Sequence, residues 1–157
     1  MPNVTFTDYV LLAAFRYEIR KFLAFSARAA RTAGVEPQQH QLLLAVKGFP
    51  KSSRPTIGDI AERLCIEHHT TVELVDKLEA RGFVVRTRST EDRRRVLLHL
   101  TPKGTSLLRK LSVLHREQLA RVGPHMVEAL GAILTARGAD SGGGIVAGGL
   151  DPPAPTL

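Results

Sequence analysis

Apolar residues recur at helical spacing through the first part of the chain. From Thr7 to about Ala33 they form one stripe, and Gly34 is expected to end this helix in a left-handed conformation. Pro37 suits the first turn of a second helix, because its missing N–H has no partner there in any case. The run at 42–46 is apolar throughout, so this second helix should be central and buried.

Two further helices are predicted with a tight turn between them. Thr56 is expected to cap the first of them, with Asp59 as its reciprocal partner, and the apolar spacing ends at Leu64. After three turn residues at 65–67, the next helix is predicted over 68–80. Helix, tight turn and helix in this order are typical of a helix-turn-helix.

The apolar period then changes from 3.6 to 2. This change predicts a strand over 83–88, a polar turn over 89–95 and a returning strand over 96–100. A long amphipathic helix is predicted from Pro102. Gly123 and Pro124 are expected to break it before a last helix.

Length and composition indicate one globular domain. The chain has 157 residues, of which 43% are apolar and 24% charged. Residues 139–157 are rich in Gly and Pro, which predicts a disordered tail after a folded domain at 1–138. One cysteine and no signal pattern at the N-terminus predict a cytoplasmic protein. No apolar run approaches the roughly 20 residues of a membrane span, so no membrane partner is expected.

Basic residues are concentrated in the predicted hairpin. The chain carries 22 bases and 15 acids, and two of those acids but no base lie in 139–157. Between Arg81 and Lys103 there are seven bases and two acids. Such a segment is typical of a surface that binds nucleic acid. A merely solvated basic face explains the charge equally well, so charge alone leaves both interpretations open.

Three segments help to decide between a surface that binds nucleic acid and a merely solvated basic face. They are Ile60-Ala61-Glu62-Arg63-Leu64, the run at 74–83, and Asp92-x-Arg94 followed after five residues by Leu100-Thr101-Pro102-Lys103-Gly104. Together with the order of elements they resemble the MarR family of winged helix-turn-helix regulators, over about residues 8–137. The resemblance implies a mainly α fold with a small β-hairpin wing, flanked by N- and C-terminal dimerisation helices.

The resemblance also implies a function. By this resemblance the protein is expected to be a sequence-specific DNA-binding transcriptional regulator. It is expected to act as a homodimeric repressor on a palindromic operator in double-stranded DNA. Family members often release DNA when a small aromatic ligand binds between the dimerisation helices and the winged domain. Phe15, Tyr17 and His40 are conceivable lining residues here, although ordinary core or interface positions explain them as well. Neither a cofactor nor enzymatic activity is expected.

The predicted DNA-binding residues lie on two elements. A helix fits the major groove, and residues near its N-terminus reach base edges. Glu73 is a candidate for cytosine recognition, with an ion pair to Lys77 as the alternative; Thr56 could bind a phosphate or act as a plain cap. The full helical set is His68, His69, Thr70, Thr71, Glu73 and Lys77, with Thr56 on the preceding helix.

The hairpin supplies the remaining candidates, which are Arg86, Arg88, Asp92, Arg93, Arg94 and Arg95. By resemblance, Arg94 approaches the minor groove and Asp92 braces the loop. Arginine suits a narrow minor groove, where the negative potential is strong, and Arg93 and Arg95 are expected to contact phosphates. The alternative for this cluster is a soluble hairpin tip.

Other chemistries are disfavoured. His68 and His69 are adjacent and point about 100° apart on a helix, so they are unsuited to holding one metal ion. Cys65 is expected to be a small buried packing residue, and Glu67 is a poor N-cap where the family more often has Ser, Thr or Asp. The alternative function is a winged-helix module for protein–protein assembly without DNA readout, which would favour an uncharged or acidic wing.

Overall fold

The computed structural model describes residues 4–50 and 54–140. Over these residues the chain forms five helices and one two-stranded antiparallel sheet. Their order is α1 (Phe6–Thr32), α2 (Pro37–Lys47), α3 (Ile57–Leu64), α4 (His68–Ala80), β1 (Val84–Arg88), β2 (Val96–Leu100) and α5 (Pro102–Asp140). The predicted fold class, mainly α with a small β-hairpin, is confirmed.

The chain divides into two compact units. One is Arg20–Gly123, which contains the helix-turn-helix and the hairpin, and the other combines Met1–Ile19 with Pro124–Leu157. Helix α5 continues to Asp140, two residues past the predicted end of the folded domain. The rest of the predicted tail, 141–157, lies outside the described residues. No helix in the described part of the chain is long and apolar enough to cross a membrane.

Helix α2 is central to the unit Arg20–Gly123, as predicted. Leu42 and Leu43 are fully buried, whereas the neighbouring Leu44 is 45% exposed, so the helix is not buried on every side. The core that surrounds it is drawn from every element of the unit. Its other members are Ala30, Val35, Val46, Ile60, Leu74, Val75, Leu78, Phe83, Val84, Leu98, Leu108 and Leu111.

Glycine ends two of the helices with a left-handed residue. Gly34 follows α1 with φ 83°, and Gly82 follows α4 with φ 72°. The predicted helix end at Gly34 is confirmed, and glycine suits both positions because it adopts this conformation without a side-chain penalty. The Arg81 guanidinium donates to the Gly34 carbonyl at 2.7 Å, so the ends of these two helices are tied together.

The predicted break at Gly123 and Pro124 is wrong. Helix α5 runs through both residues, with Pro124 in its interior. Proline removes one helical hydrogen bond and crowds the carbonyl four residues earlier, but a long helix can continue past this local defect. The predicted last helix is therefore the C-terminal part of α5.

The wing is joined to α5 by the segment Thr101–Gly104 of the sequence signature. The Thr101 hydroxyl donates to the Gly82 carbonyl at 2.7 Å and accepts the Gly104 N–H at 3.0 Å. A Cβ atom at position 104 would lie 2.1 Å from the Phe83 carbonyl oxygen. Thr101 therefore caps the helix, and glycine at 104 permits close approach to the strand that begins the wing.

The sheet has a short addition that the sequence pattern did not reveal. Strands β1 and β2 form the predicted antiparallel hairpin, and Arg86 lies opposite Leu98. Thr56 also forms an isolated bridge with Leu97, and the Leu98 N–H donates to the Pro55 carbonyl at 2.9 Å. The residues before α3 thus line the outer edge of β2, so the wing is anchored to the helix-turn-helix.

Candidate nucleic-acid interface

The first helix of the helix-turn-helix begins with a reciprocal cap. The Thr56 N–H donates to Asp59 Oδ2 at 2.7 Å, and the Thr56 hydroxyl accepts the Asp59 N–H at 3.2 Å. The backbone hydrogen bond from Thr56 is the main reason that the pKa of Asp59 is lowered. The predicted cap is confirmed. A phosphate contact by Thr56 stays a prediction, and both its N–H and its hydroxyl are already engaged by Asp59.

The turn between α3 and α4 depends on Cys65. This residue has φ 53°, in the left-handed region, and its N–H donates to the Glu62 carbonyl at 3.1 Å. The Cys65 side chain is exposed, so the prediction of a buried packing residue is wrong. The left-handed backbone at the turn directs this side chain out of the core.

The predicted recognition helix, α4, separates its residues into two faces. Leu74, Val75 and Leu78 are buried in the core. The opposite face presents most of the predicted DNA-contacting residues: His68, His69, Glu73 and Lys77 are exposed and Thr70 is half-buried. The Glu67 side chain does not cap the helix, as its residue type predicted. The arrangement leaves one polar face of α4 accessible along its length.

Thr71 is a correction to the predicted set. It is fully buried, and its hydroxyl donates to the Glu67 carbonyl at 3.1 Å. The apolar spacing of α4 places Thr71 on the core side with Leu74 and Leu78, so its side chain is not available to DNA. Its hydroxyl instead satisfies a backbone carbonyl in the first turn of α4.

The tip of the hairpin is internally braced. Asp92 Oδ1 accepts the Arg94 N–H at 2.9 Å, and the Asp92 carbonyl accepts the Arg95 N–H at 2.9 Å. The Ser89 hydroxyl accepts the N–H groups of Glu91 and Asp92 at 3.2 and 3.3 Å. These bonds occupy Asp92 Oδ1 and the Ser89 hydroxyl. The basic side chains, Arg88, Arg93, Arg94 and Arg95, all remain exposed.

Arg86 is a second correction, because its side chain is turned toward α4. It forms ion pairs with Asp76, at 2.5 Å, and with Glu79. Burial by itself would lower the pKa of Arg86, but the hydrogen bonds to Asp76 and Glu79 outweigh it and raise that pKa. Two of its guanidinium nitrogens are thus already bound to carboxylates, unlike those of the exposed arginines at the tip.

The back of the wing carries a histidine that sequence reasoning did not single out. His99 contacts the Arg54 guanidinium, and its Nε2 lies 2.7 Å from the Thr87 hydroxyl. Burial, and secondarily the charge of Arg54, lower the pKa of His99. Arg54 and His99 also line a cavity of about 290 Å³ beside Phe49 and Pro55. Only the tertiary structure brings these residues together.

The three predicted effector-lining residues fall in different units. Phe15 is half-buried and Tyr17 is exposed, both in the unit that contains Met1–Ile19. His40 is buried in the other unit, with its ring 4.7 Å from that of His115. No group of three or more potential metal ligands is found among the described residues.

Comparisons with known proteins agree with this geometry. The family model described as MarR family matches residues 33–95. A Thauera aromatica protein, named as a transcriptional regulatory protein for the hcr operon, is 30% identical over 66% of this chain. The HTH-type transcriptional regulator YkoM of Bacillus subtilis (strain 168) is 30% identical over 71% of this chain. The alignments span 61% and 70% of these relatives' own lengths.

The chain belongs to the MarR family. The chain is also similar to the solved structure of a transcriptional repressor, CouR, bound to a 23-mer DNA duplex. That likeness has a TM-score of 0.59 and 30% identity, and it covers 83% of this chain and 90% of the CouR chain. The family model ends at residue 95, so it includes the helix-turn-helix and the basic tip but not β2 or α5.

Proposed function

We propose that this MarR-family protein is a homodimeric transcriptional repressor that binds a palindromic operator in double-stranded DNA from the cytoplasm. The recognition helix α4 would read base edges in the major groove, and the wing would hold the adjacent backbone and minor groove. The observation that carries the proposal is the pairing of an accessible polar face on α4 with four exposed arginines on a braced hairpin. A DNA-bound solved relative of similar fold supports it.

The charge distribution separates the two DNA-reading elements. The exposed face of α4 mixes His68, His69, Thr70, Glu73 and Lys77, which can donate or accept hydrogen bonds to bases. The wing tip instead carries guanidinium groups, which bind phosphates and narrow grooves through charge. We therefore expect sequence preference to depend mainly on α4 and general affinity mainly on the wing.

Replacing Arg94 with alanine should weaken binding to every duplex, by about 1–3 kcal/mol per wing. The slope of log K against log salt should shrink by about one for each positive charge that is removed from the groove. Thr70→Ala removes a hydroxyl but no charge, so it should leave the slope unchanged and relax preference at one base pair per half-site. Both variants are measured by fluorescence anisotropy on a duplex selected by the wild-type protein and on random duplex.

Arg109→Ala is the matched control, because Arg109 is an exposed arginine on α5 outside the wing and α4. It should change neither affinity nor slope. If Arg94→Ala leaves both unaltered, the hairpin does not read DNA. A winged-helix module for protein–protein assembly then becomes the better interpretation.

Dimer formation is proposed from the unit that contains the chain ends. Large apolar side chains are exposed on both of its segments, which include Phe6, Tyr9, Val10, Val127, Leu130 and Leu134. Contiguous apolar surface on a folded protein marks an interaction site. A second copy would bury these residues, and it would also place two recognition helices on one duplex, as a palindromic operator requires.

Leu134→Asp should therefore raise the dimer dissociation constant by at least about tenfold, since an unpaired carboxylate would enter an apolar interface. Sedimentation velocity over a concentration range measures the change. Leu44→Asp is the control, because Leu44 is also an exposed leucine but lies on α2 in the other unit. An unchanged mass distribution for Leu134→Asp would move the interface elsewhere. Control by a small aromatic effector remains part of the proposal, to be tested by loss of DNA binding on ligand titration.

A further inference from the structure

The wing and the recognition helix are connected by one arginine and two carboxylates. Arg86, in the middle of β1, directs one guanidinium nitrogen to Asp76 Oδ1 at 2.5 Å and another to Glu79 Oε2. Asp76 and Glu79 lie three residues apart on α4, so they face the same side of that helix. One planar guanidinium therefore holds two successive positions of α4.

Glu79 also satisfies the backbone of the wing. Its Oε1 accepts the Arg86 N–H at 3.0 Å. The strand register explains why that N–H is available: the partner residue Leu98 directs its own N–H to Pro55, away from β1, so Arg86 and Leu98 form a non-hydrogen-bonded pair. The Arg86 N–H therefore points outward from the sheet edge, where Glu79 receives it.

These contacts supply what the wing lacks by itself. A two-stranded hairpin is marginally stable in isolation and needs packing against another element. Charge-assisted hydrogen bonds from a guanidinium are strong and directional, and the Arg86 side chain is only 23% exposed. The bonds join β1 to the helix that carries the proposed base-contacting residues, so they fix the angle between the two proposed DNA-reading elements.

We propose that Arg86 is a positioning residue, which locks the wing to the recognition helix through Asp76 and Glu79 so that both reach one duplex without further ordering. This inference rests on the proposed DNA-binding function. Preorganisation raises affinity because the entropy cost of ordering the wing is then not part of the binding step. In this role Arg86 acts through α4 and does not contact phosphate.

Removing either side of this connection should weaken DNA binding to the same extent. Arg86→Gln, and separately Asp76→Ala combined with Glu79→Ala, should each lower affinity for the selected duplex by about tenfold, and all three changes together should do no more than either alone. The carboxylate variant is decisive, because it makes the chain more positive by two charges. General electrostatics predicts tighter binding for it, whereas loss of the connection predicts weaker binding.

Glu62→Ala is the control for charge, since Glu62 is an exposed acid on α3 that does not contact Arg86 in the described structure. It should tighten binding slightly. The salt slope separates the roles further: it should stay at the wild-type value for Arg86→Gln, and Arg86→Lys should fail to restore affinity, because an ammonium group lacks the two-pronged geometry. Circular dichroism spectra are recorded for all variants to confirm that each is folded.

Three outcomes would overturn the inference while leaving the proposed function intact. They are a slope reduced by about one per chain in Arg86→Gln, full recovery by Arg86→Lys, or tighter binding by the variant that lacks Asp76 and Glu79. The first two would make Arg86 a phosphate contact. If the wild-type full-length protein selects no duplex from a random pool, the proposed function itself fails.

Discussion

Replacing Gly104 with alanine should destabilise the folded protein by about 3 kcal/mol. The added Cβ would lie 2.1 Å from the Phe83 carbonyl oxygen. The Cβ position is fixed by the helix backbone and the carbonyl belongs to the backbone, so no flexible side chain can move aside. The same carbonyl accepts the Thr101 N–H at 3.1 Å, so any shift of the strand also strains the start of α5. Urea denaturation monitored by circular dichroism measures the free energy of unfolding.

Gly131→Ala provides the comparison for this substitution. Gly131 is also in α5, and a Cβ there meets no atom within 4 Å in the described structure. Because alanine has the higher helix propensity, this variant should be as stable as the wild type or more stable, by up to about 1 kcal/mol. A Gly104→Ala protein with unchanged stability would show that Phe83, the residue before β1, and the start of α5 are not held in this close contact.

The second large effect concerns pH and the buried His40. Its ring is 2% exposed and lies 4.7 Å from the ring of His115, and its Nδ1 has no hydrogen-bond partner within the described residues. Burial, together with the neighbouring His115, lowers the pKa of His40 from 6.5 to about 4. The folded state thus holds His40 neutral at a pH where the unfolded chain would bind a proton.

Stability should therefore fall as the pH is lowered from about 6.5 to about 4. Over this window the unfolded state binds more protons than the folded state, which lowers the free energy of unfolding by about 3 kcal/mol in total. Above the window the contribution of His40 is constant. Urea titrations at several pH values between 4 and 7.5 measure the dependence.

His40→Gln identifies the source of this pH dependence. Without the imidazole, the fall between pH 6.5 and 4 should be smaller than in the wild type by most of that amount. His69→Gln is the control, since His69 is an exposed histidine on α4. Its profile should follow that of the wild type. If His40→Gln and the wild type lose stability in parallel, protonation of His40 is not the cause.

His115, which lies beside His40, is held by hydrogen bonds and by aromatic contacts. Its Nδ1 lies 2.7 Å from the Leu111 carbonyl, and its Nε2 lies 2.8 Å from the Ser26 hydroxyl. A carbonyl can only accept, so Nδ1 carries a proton. In the neutral ring, Nε2 then accepts from Ser26. The rings of Phe22 and Phe25 meet His115 edge-on at 5.9 and 5.7 Å. Helices α1, α2 and α5 therefore meet at two imidazoles within an aromatic cluster.

The sequence by itself determined the elements from α1 to β2, the start of α5 and the order in which they follow one another. Helix ends at Gly34, the cap at Thr56 and the change from a period of 3.6 to 2 are local signals, because they depend on the conformation of a few neighbouring residues. The exposed face of α4 and the braced, basic wing tip follow from similarly short spacings. For this reason the sequence could place His69, Thr70 and Arg94 on accessible surfaces, and in the structure His69 and Arg94 are exposed and Thr70 is half-buried.

Tertiary structure decided how those local pieces are used. Arg86 reads in the sequence as one more base in a basic hairpin, and only the packing of β1 against α4 brings it to Asp76 and Glu79. Thr71 is polar, yet its place on the core face buries it. Helix α5 continues through Pro124 although proline locally favours the end of a helix. In each case the free energy of contacts between residues distant in sequence, or of a long helix, outweighs a local preference that the sequence pattern alone can show.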